Sequence, residues 1–172
     1  MVLSVDLCPL ELQNGYYMSG STWEQHRRAI IEQHRRGGIT TISWHMHNPV
    51  TGKDAWDVSD SRTVRKILRK KDIKEKCTHF LDLAADYLQT LRDDEGQLIP
   101  IIFRPFPESQ GSWFWWGYDL CSSRDYINLW RFTHQYLTQK GCTNLLYCFS
   151  VSGVTRTLYD YLERFPGPDY VD

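Results

Sequence analysis

The chain has 172 residues, with 20 Lys and Arg against 21 Asp and Glu for a net charge of −1. That length supports one domain with a real core, residues 1–172, and no basic run interleaved with aromatics points to nucleic acid. No apolar stretch approaches a bilayer span, and Met1 runs straight into a strand pattern, so neither a membrane segment nor a signal peptide is expected.

Val2 to Leu7 reads as a short strand, followed by a loop with turn signals at Pro9, Asn14-Gly15 and Gly20. Ser21 or Thr22 caps a helix, with Glu24 or Gln25 three residues on, and Gly37-Gly38 ends it. His26 and His34 are expected on its solvated face. Ile39 to Ser43 is a second strand, and Trp44-His45-Met46-His47-Asn48-Pro49 follows its carboxyl end. His45 is expected to face a substrate and His47 to point elsewhere. No third ligand accompanies the two histidines in sequence, so no metal is expected.

Val50 to Arg62 reads as a long loop carrying Gly52, Trp56 and Asp57. A helix from about Asp72 to Arg92 places Ile73, Cys77, Phe80, Leu81, Ala84, Leu88 and Leu91 on one stripe. Ile99-Pro100-Ile101-Ile102-Phe103 is a third strand, expected to be buried on both faces. It ends in Arg104-Pro105-Phe106-Pro107-Glu108, because proline cannot continue a ladder. Ser122 or Ser123 caps a helix to about Gln139, Leu145 to Phe149 is a fourth strand, and Thr155 to Arg164 is a short helix. Tyr170-Val171-Asp172 reads as the start of another strand.

Alternating strands and helices imply parallel strands joined by right-handed crossovers. No G-x-G-x-x-G turn is present, and the polar and aromatic clusters fall after strands, where a (β/α)8 barrel keeps its chemistry. The fold class is therefore α/β, an incomplete (β/α)8 barrel of about four and a half units, against roughly 250 residues for a whole one. An open barrel exposes strand edges, so self-association through them is expected. The five cysteines, Cys8, Cys77, Cys121, Cys142 and Cys148, match no zinc spacing and read mostly as small apolar residues.

The densest cluster is Arg104 to Gly117. An arginine and a glutamate just past a strand end, followed by Trp113, Phe114, Trp115 and Trp116, suit a carbohydrate site, because indole surfaces match the apolar C–H faces of sugars. On the residues alone, Glu108 is either a site carboxyl or a solvated loop carboxylate.

The run Arg104-Pro105-Phe106-Pro107-Glu108-Ser109-Gln110-Gly111-Ser112-Trp113-Phe114-Trp115-Trp116-Gly117 resembles the acid/base segment of glycoside hydrolase family 26, mainly endo-β-1,4-mannanases. Trp44-His45 with Asn48-Pro49 resembles a second family segment. Ser4-Val5-Asp6 and the closing Pro168-Asp169-Tyr170-Val171-Asp172 are similar to family strands. The resemblance implies retaining hydrolysis of internal β-1,4-mannosidic bonds by two glutamates, with β-mannan as the partner and no cofactor. It implies Glu108 as the acid/base, set among aromatic walls. Trp113, His45, Trp44 and Trp116 are then substrate-binding, and Arg104 and Asn48 supporting.

Pro107 stands where the family has histidine, which implies weaker binding or turnover. The family's nucleophile is expected beyond Asp172, since Asp6, Asp57 and Asp119 do not match its motif. Family members are mostly exported. Two alternatives stand beside the mannanase reading: a non-catalytic polysaccharide-binding remnant, and cleavage of xylan or mixed glucan.

Overall fold

A computed structural model describes residues 1–13, 20–153 and 157–172. Four strands form one parallel sheet in sequence order: β1 (Val2–Asp6), β2 (Ile39–Trp44), β3 (Ile101–Pro105) and β4 (Leu145–Tyr147). The helices are α1 (Trp23–Arg35), α2 (Thr63–Arg69), α3 (Lys71–Gln89), α4 (Ser123–Gln139) and α5 (Leu158–Leu162). None of the described helices is long and apolar enough to cross a membrane.

Register explains which side chains go where. In parallel strands, residues in one row share a face, and successive rows alternate. Thr40 and Ile101 with Leu145, then Ile42 and Phe103 with Tyr147, form rows that are buried. The rows between them are different. Ser4, Thr41, Ile102 and Leu146 are in register, with Leu146 47% exposed. Asp6, Ser43 and Arg104 form the next row, at the carboxyl end. The strands are thus covered on one face and open on the other, which corrects the expectation that β3 is buried on both.

Local chemistry sets the helix ends. Thr22 and Gln25 close a reciprocal capping box at α1, their side chains and backbone amides bonded at 3.2 and 2.7 Å. The chain leaves α1 through Gly37 at φ +72°, and a Cβ on Gly38 would strike the Gln33 side chain. His26 and His34 are half-buried rather than fully solvated. The long loop after β2 stops short of a further helix, α2, whose Val64 and Ile67 are fully buried. Lys70 is extended (φ −110°, ψ 122°) and breaks α2 from α3. Phe80 lies half-buried at the margin of the α3 stripe, while Cys77, Leu81, Ala84 and Leu88 are completely enclosed. Ser122 caps α4, and Thr157 with Asp160 boxes α5; Thr155, the expected start of that helix, lies outside the described residues. Asp172 belongs to no strand element, yet its amide donates to Tyr147 O at 3.0 Å and its Oδ2 accepts from Tyr147 N at 2.8 Å. The chain there lies along the free edge of β4.

Candidate active site

Arg104 is the last charged residue of β3 and projects from the open face. Its guanidinium donates to Ser43 Oγ at 3.2 Å and to Ser150 Oγ at 2.5 Å, joining the ends of β2 and β3 to the segment after β4. The backbone then turns sharply. Phe106 (φ +46°) and Glu108 (φ +58°) both adopt left-handed conformations, which side-chain-bearing residues rarely take. Phe106 is especially constrained, because the residue before a proline is pushed towards extended backbone.

Surrounding contacts hold this turn. The Phe106 ring packs edge-on against Trp115 and Trp116, and its carbonyl accepts from Tyr126 Oη at 2.9 Å. Trp116 Nε1 donates to Pro107 O at 2.8 Å, and Glu108 N donates to Ser150 O at 2.8 Å. Glu108 is therefore fixed by backbone bonds on both sides and is half-buried. Arg104 and Glu108 share a partner in Ser150, the one through its hydroxyl and the other through its carbonyl. Proline at 107 costs the turn nothing in backbone donors, since the bonds that hold it run to carbonyls and to Glu108 N.

The four aromatics split. Trp113 is 39% exposed, with its six-membered ring lying over Gly111, where a Cβ would come within 2.3–2.4 Å of it. Phe114, Trp115 and Trp116 are enclosed. Trp115 Nε1 donates to Met46 O at 2.9 Å and Trp115 N to Ala55 O at 3.1 Å, pinning this loop to the loop after β2. Trp116 stacks on Phe114 at 4.7 Å. Trp116 therefore positions Pro107 and offers no free face to a sugar, which corrects its expected substrate-binding role.

Trp44 needs the same correction. It shares strand parity with Ile42, so it points to the helix side and is 1% exposed, its Nε1 donating to Glu11 Oε1 at 2.7 Å. His45, one residue on, falls on the open side. Its Nδ1 lies 2.5 Å from Asp6 Oδ2, and its amide donates to Asp6 Oδ1 at 3.1 Å. A carboxylate only accepts, so the Nδ1 proton faces Asp6 and Nε2 carries the free lone pair. Trp56 stacks parallel to His45 at 5.8 Å and is 50% exposed. Asn48, fully buried, ties the β2 loop: Oδ1 accepts from Val50 N and Thr51 N, and Nδ2 donates to Asp57 O.

Four contributors escaped the sequence reading: Asp6 as the partner of His45, Trp56 as a second exposed indole, Ser150, and Arg164. Arg164 is 1% exposed and donates to the carbonyls of Ser109, Trp116, Tyr118 and Cys121, holding the loop from the end of α5. Alternation in an extended strand would keep His47 on the face of His45, but β2 ends at Trp44 and His47 turns instead to Cys8 and Glu11, which corrects the view that no third ligand is at hand.

The family model for glycosyl hydrolase family 26 matches residues 12–172. The chain belongs to glycosyl hydrolase family 26. A mannan endo-1,4-beta-mannosidase of Bifidobacterium adolescentis is 39% identical over 145 residues, covering 83% of this chain and 14% of that protein. One from Bacillus subtilis is 31% identical over 153 residues, covering 83% and 40%. Among solved structures, a family 26 beta-mannanase from Bacteroides ovatus superposes with a TM-score of 0.96 at 44% identity, covering 99% of this chain and 50% of that one. An endo-beta-1,4-mannanase from Cellulomonas fimi gives 0.88 at 34% identity, covering 99% and 39%. The family 26 chain thus spans half or less of these relatives, and its fold is an incomplete (β/α)8 barrel.

Proposed function

We propose that this chain carries the acid/base half of a retaining endo-β-1,4-mannanase. The observation that carries the reading is Glu108: a half-buried carboxyl on a left-handed turn at the carboxyl end of β3, braced by Ser150 and Trp116. Residues held in unfavourable backbone conformations by their surroundings cluster at working sites. In the proposed reaction, Glu108 gives its proton to the glycosidic oxygen as the C–O bond breaks and a second glutamate attacks the anomeric carbon. Glu108 then takes a proton from water, whose oxygen displaces that glutamate. The net change is addition of one water across one bond.

Trp113 and Trp56 supply exposed indole faces for sugar rings, and His45 offers Nε2 to a hydroxyl. Asp6 is committed to His45 and the backbone, which argues against it as the nucleophile. We assign that role to a glutamate on a later strand of the whole enzyme. β-Mannan as the substrate rests on the activities of these relatives.

The test is hydrolysis of mannan by the enzyme containing this chain, with Glu108→Gln beside it. Loss of an acid/base group is expected to cost roughly 10²–10⁴-fold. Aryl mannosides with good leaving groups should lose far less in the glycosylation step, since they need no proton. Full mannan hydrolysis by Glu108→Gln would sink the assignment. Binding of manno-oligosaccharide without hydrolysis, weakened by Trp113→Ala, would favour a polysaccharide-binding role instead.

A further inference from the structure

Just past the carboxyl ends of β1 and β2, three side chains meet that the proposed reaction does not use. Cys8 Sγ lies 3.6 Å from His47 Nδ1, and His47 Nδ1 lies 3.6 Å from Glu11 Oε2. Those ligand atoms all fall within 4.8 Å of one another. The three residues are 3%, 9% and 8% exposed, and the Glu11 side chain only 1%.

Glu11 supplies the independent clue. Its Oε1 is fully engaged, accepting from Trp44 Nε1 at 2.7 Å and from His47 N at 3.0 Å. Among the described residues its buried Oε2 has no hydrogen-bond partner, since 3.6 Å to His47 is too long for one. A buried carboxylate oxygen without a donor is costly unless a cation faces it. The two bonds at Oε1 fix the carboxylate with Oε2 turned towards the sulfur and the imidazole, as outer partners orient a metal ligand.

We propose that Cys8, Glu11 and His47 bind a zinc ion. A tetrahedral zinc with bonds of about 2.0–2.3 Å separates its ligand atoms by roughly 3.3–3.8 Å, which the two 3.6 Å spacings already match. Sulfur, imidazole nitrogen and carboxylate oxygen together suit zinc and disfavour magnesium or calcium, which take oxygen ligands. Binding replaces the Cys8 thiol proton with the metal: the S–H bond breaks, the proton leaves to solvent, and sulfur donates its pair to zinc. The carboxylates of Asp6 and Asp54 nearby add negative charge that favours a divalent ion there. The ion would clamp the segment after β1 to the segment after β2.

The experiment strips the purified chain with EDTA and returns zinc. The expected result is one zinc per chain after desalting and a melting midpoint raised by roughly 5 °C at a hundredfold excess over the dissociation constant. Magnesium and calcium should do neither. Cobalt in place of zinc should give a thiolate-to-cobalt charge-transfer band that Cys8→Ser abolishes and that Cys121→Ser and Cys148→Ser leave intact. Glu11→Gln should weaken zinc affinity at least about tenfold, or 1.4 kcal/mol. If Cys8→Ser does not fold, X-ray absorption of the unaltered zinc-loaded chain decides, with one sulfur expected in the inner shell. Substoichiometric uptake, a band that survives Cys8→Ser, or a shell without sulfur would overturn the proposal.

Discussion

Trp113 and Trp116 sit three positions apart in one loop, yet one lies open over Gly111 while the other is sealed between Phe114, Phe106 and Trp115. Their indole nitrogens tell the same story. Trp116 and its neighbour Trp115 each donate to a buried carbonyl, whereas Trp113 contributes an exposed ring face. Aromatic density in a sequence therefore mixes two kinds of residue: those that build the wall and those that present it. The glutamate's placement depends on the sealed set, and the open set is what a ligand could reach.

Substitutions that separate the two sets give the sharpest checks. Trp116→Ala removes a fully buried indole and the donor to Pro107 O, and is expected to cost about 3–5 kcal/mol in chemical denaturation. Gly117→Ala should come next, because its Cβ would meet Gly111 O at 2.4 Å, a backbone atom that cannot step aside. We expect about 1–3 kcal/mol, in the range of strain from overpacking. Trp115→Phe keeps most of the ring but strands Met46 O, at roughly 1–2 kcal/mol in the same measurement. Trp113→Ala should leave stability within about 0.5 kcal/mol while cutting manno-oligosaccharide affinity about tenfold by calorimetry. Should Trp113→Ala destabilise as much as Trp116→Ala, the division into wall and face is wrong.

Much of this fold was readable from local pattern. Strand runs, the α1 capping box and the α3 stripe are signals carried within a dozen residues, and they survive in the structure. Helix α2 was missed because seven residues give too little periodicity, although Val64, Ile67 and Leu68 stand at the right steps. Trp44 was misjudged against an available signal. In Ile42-Ser43-Trp44-His45, alternation sends Trp44 with Ile42 to the helix side and His45 with Ser43 to the open side. The remaining misses are contacts between distant positions: Asp6 with His45 across 39 residues, and Arg104 with Ser150 across 46. Composition gives no hint of such pairs; the register of a parallel sheet creates them. The Cys8–Glu11–His47 cluster is hidden for the same reason.

Arg164 carries a consequence for the order of events as the chain acquires its shape. Its carbonyl partners lie 43 to 55 residues earlier in the chain. Closing so long a segment is entropically slow, and its reward comes only at the end. The strands and their crossover helices can pair while the loop from Ser109 to Cys121 still lacks its anchor. The site would then be the last part of this region to become rigid, assembled by an arginine that never touches a ligand.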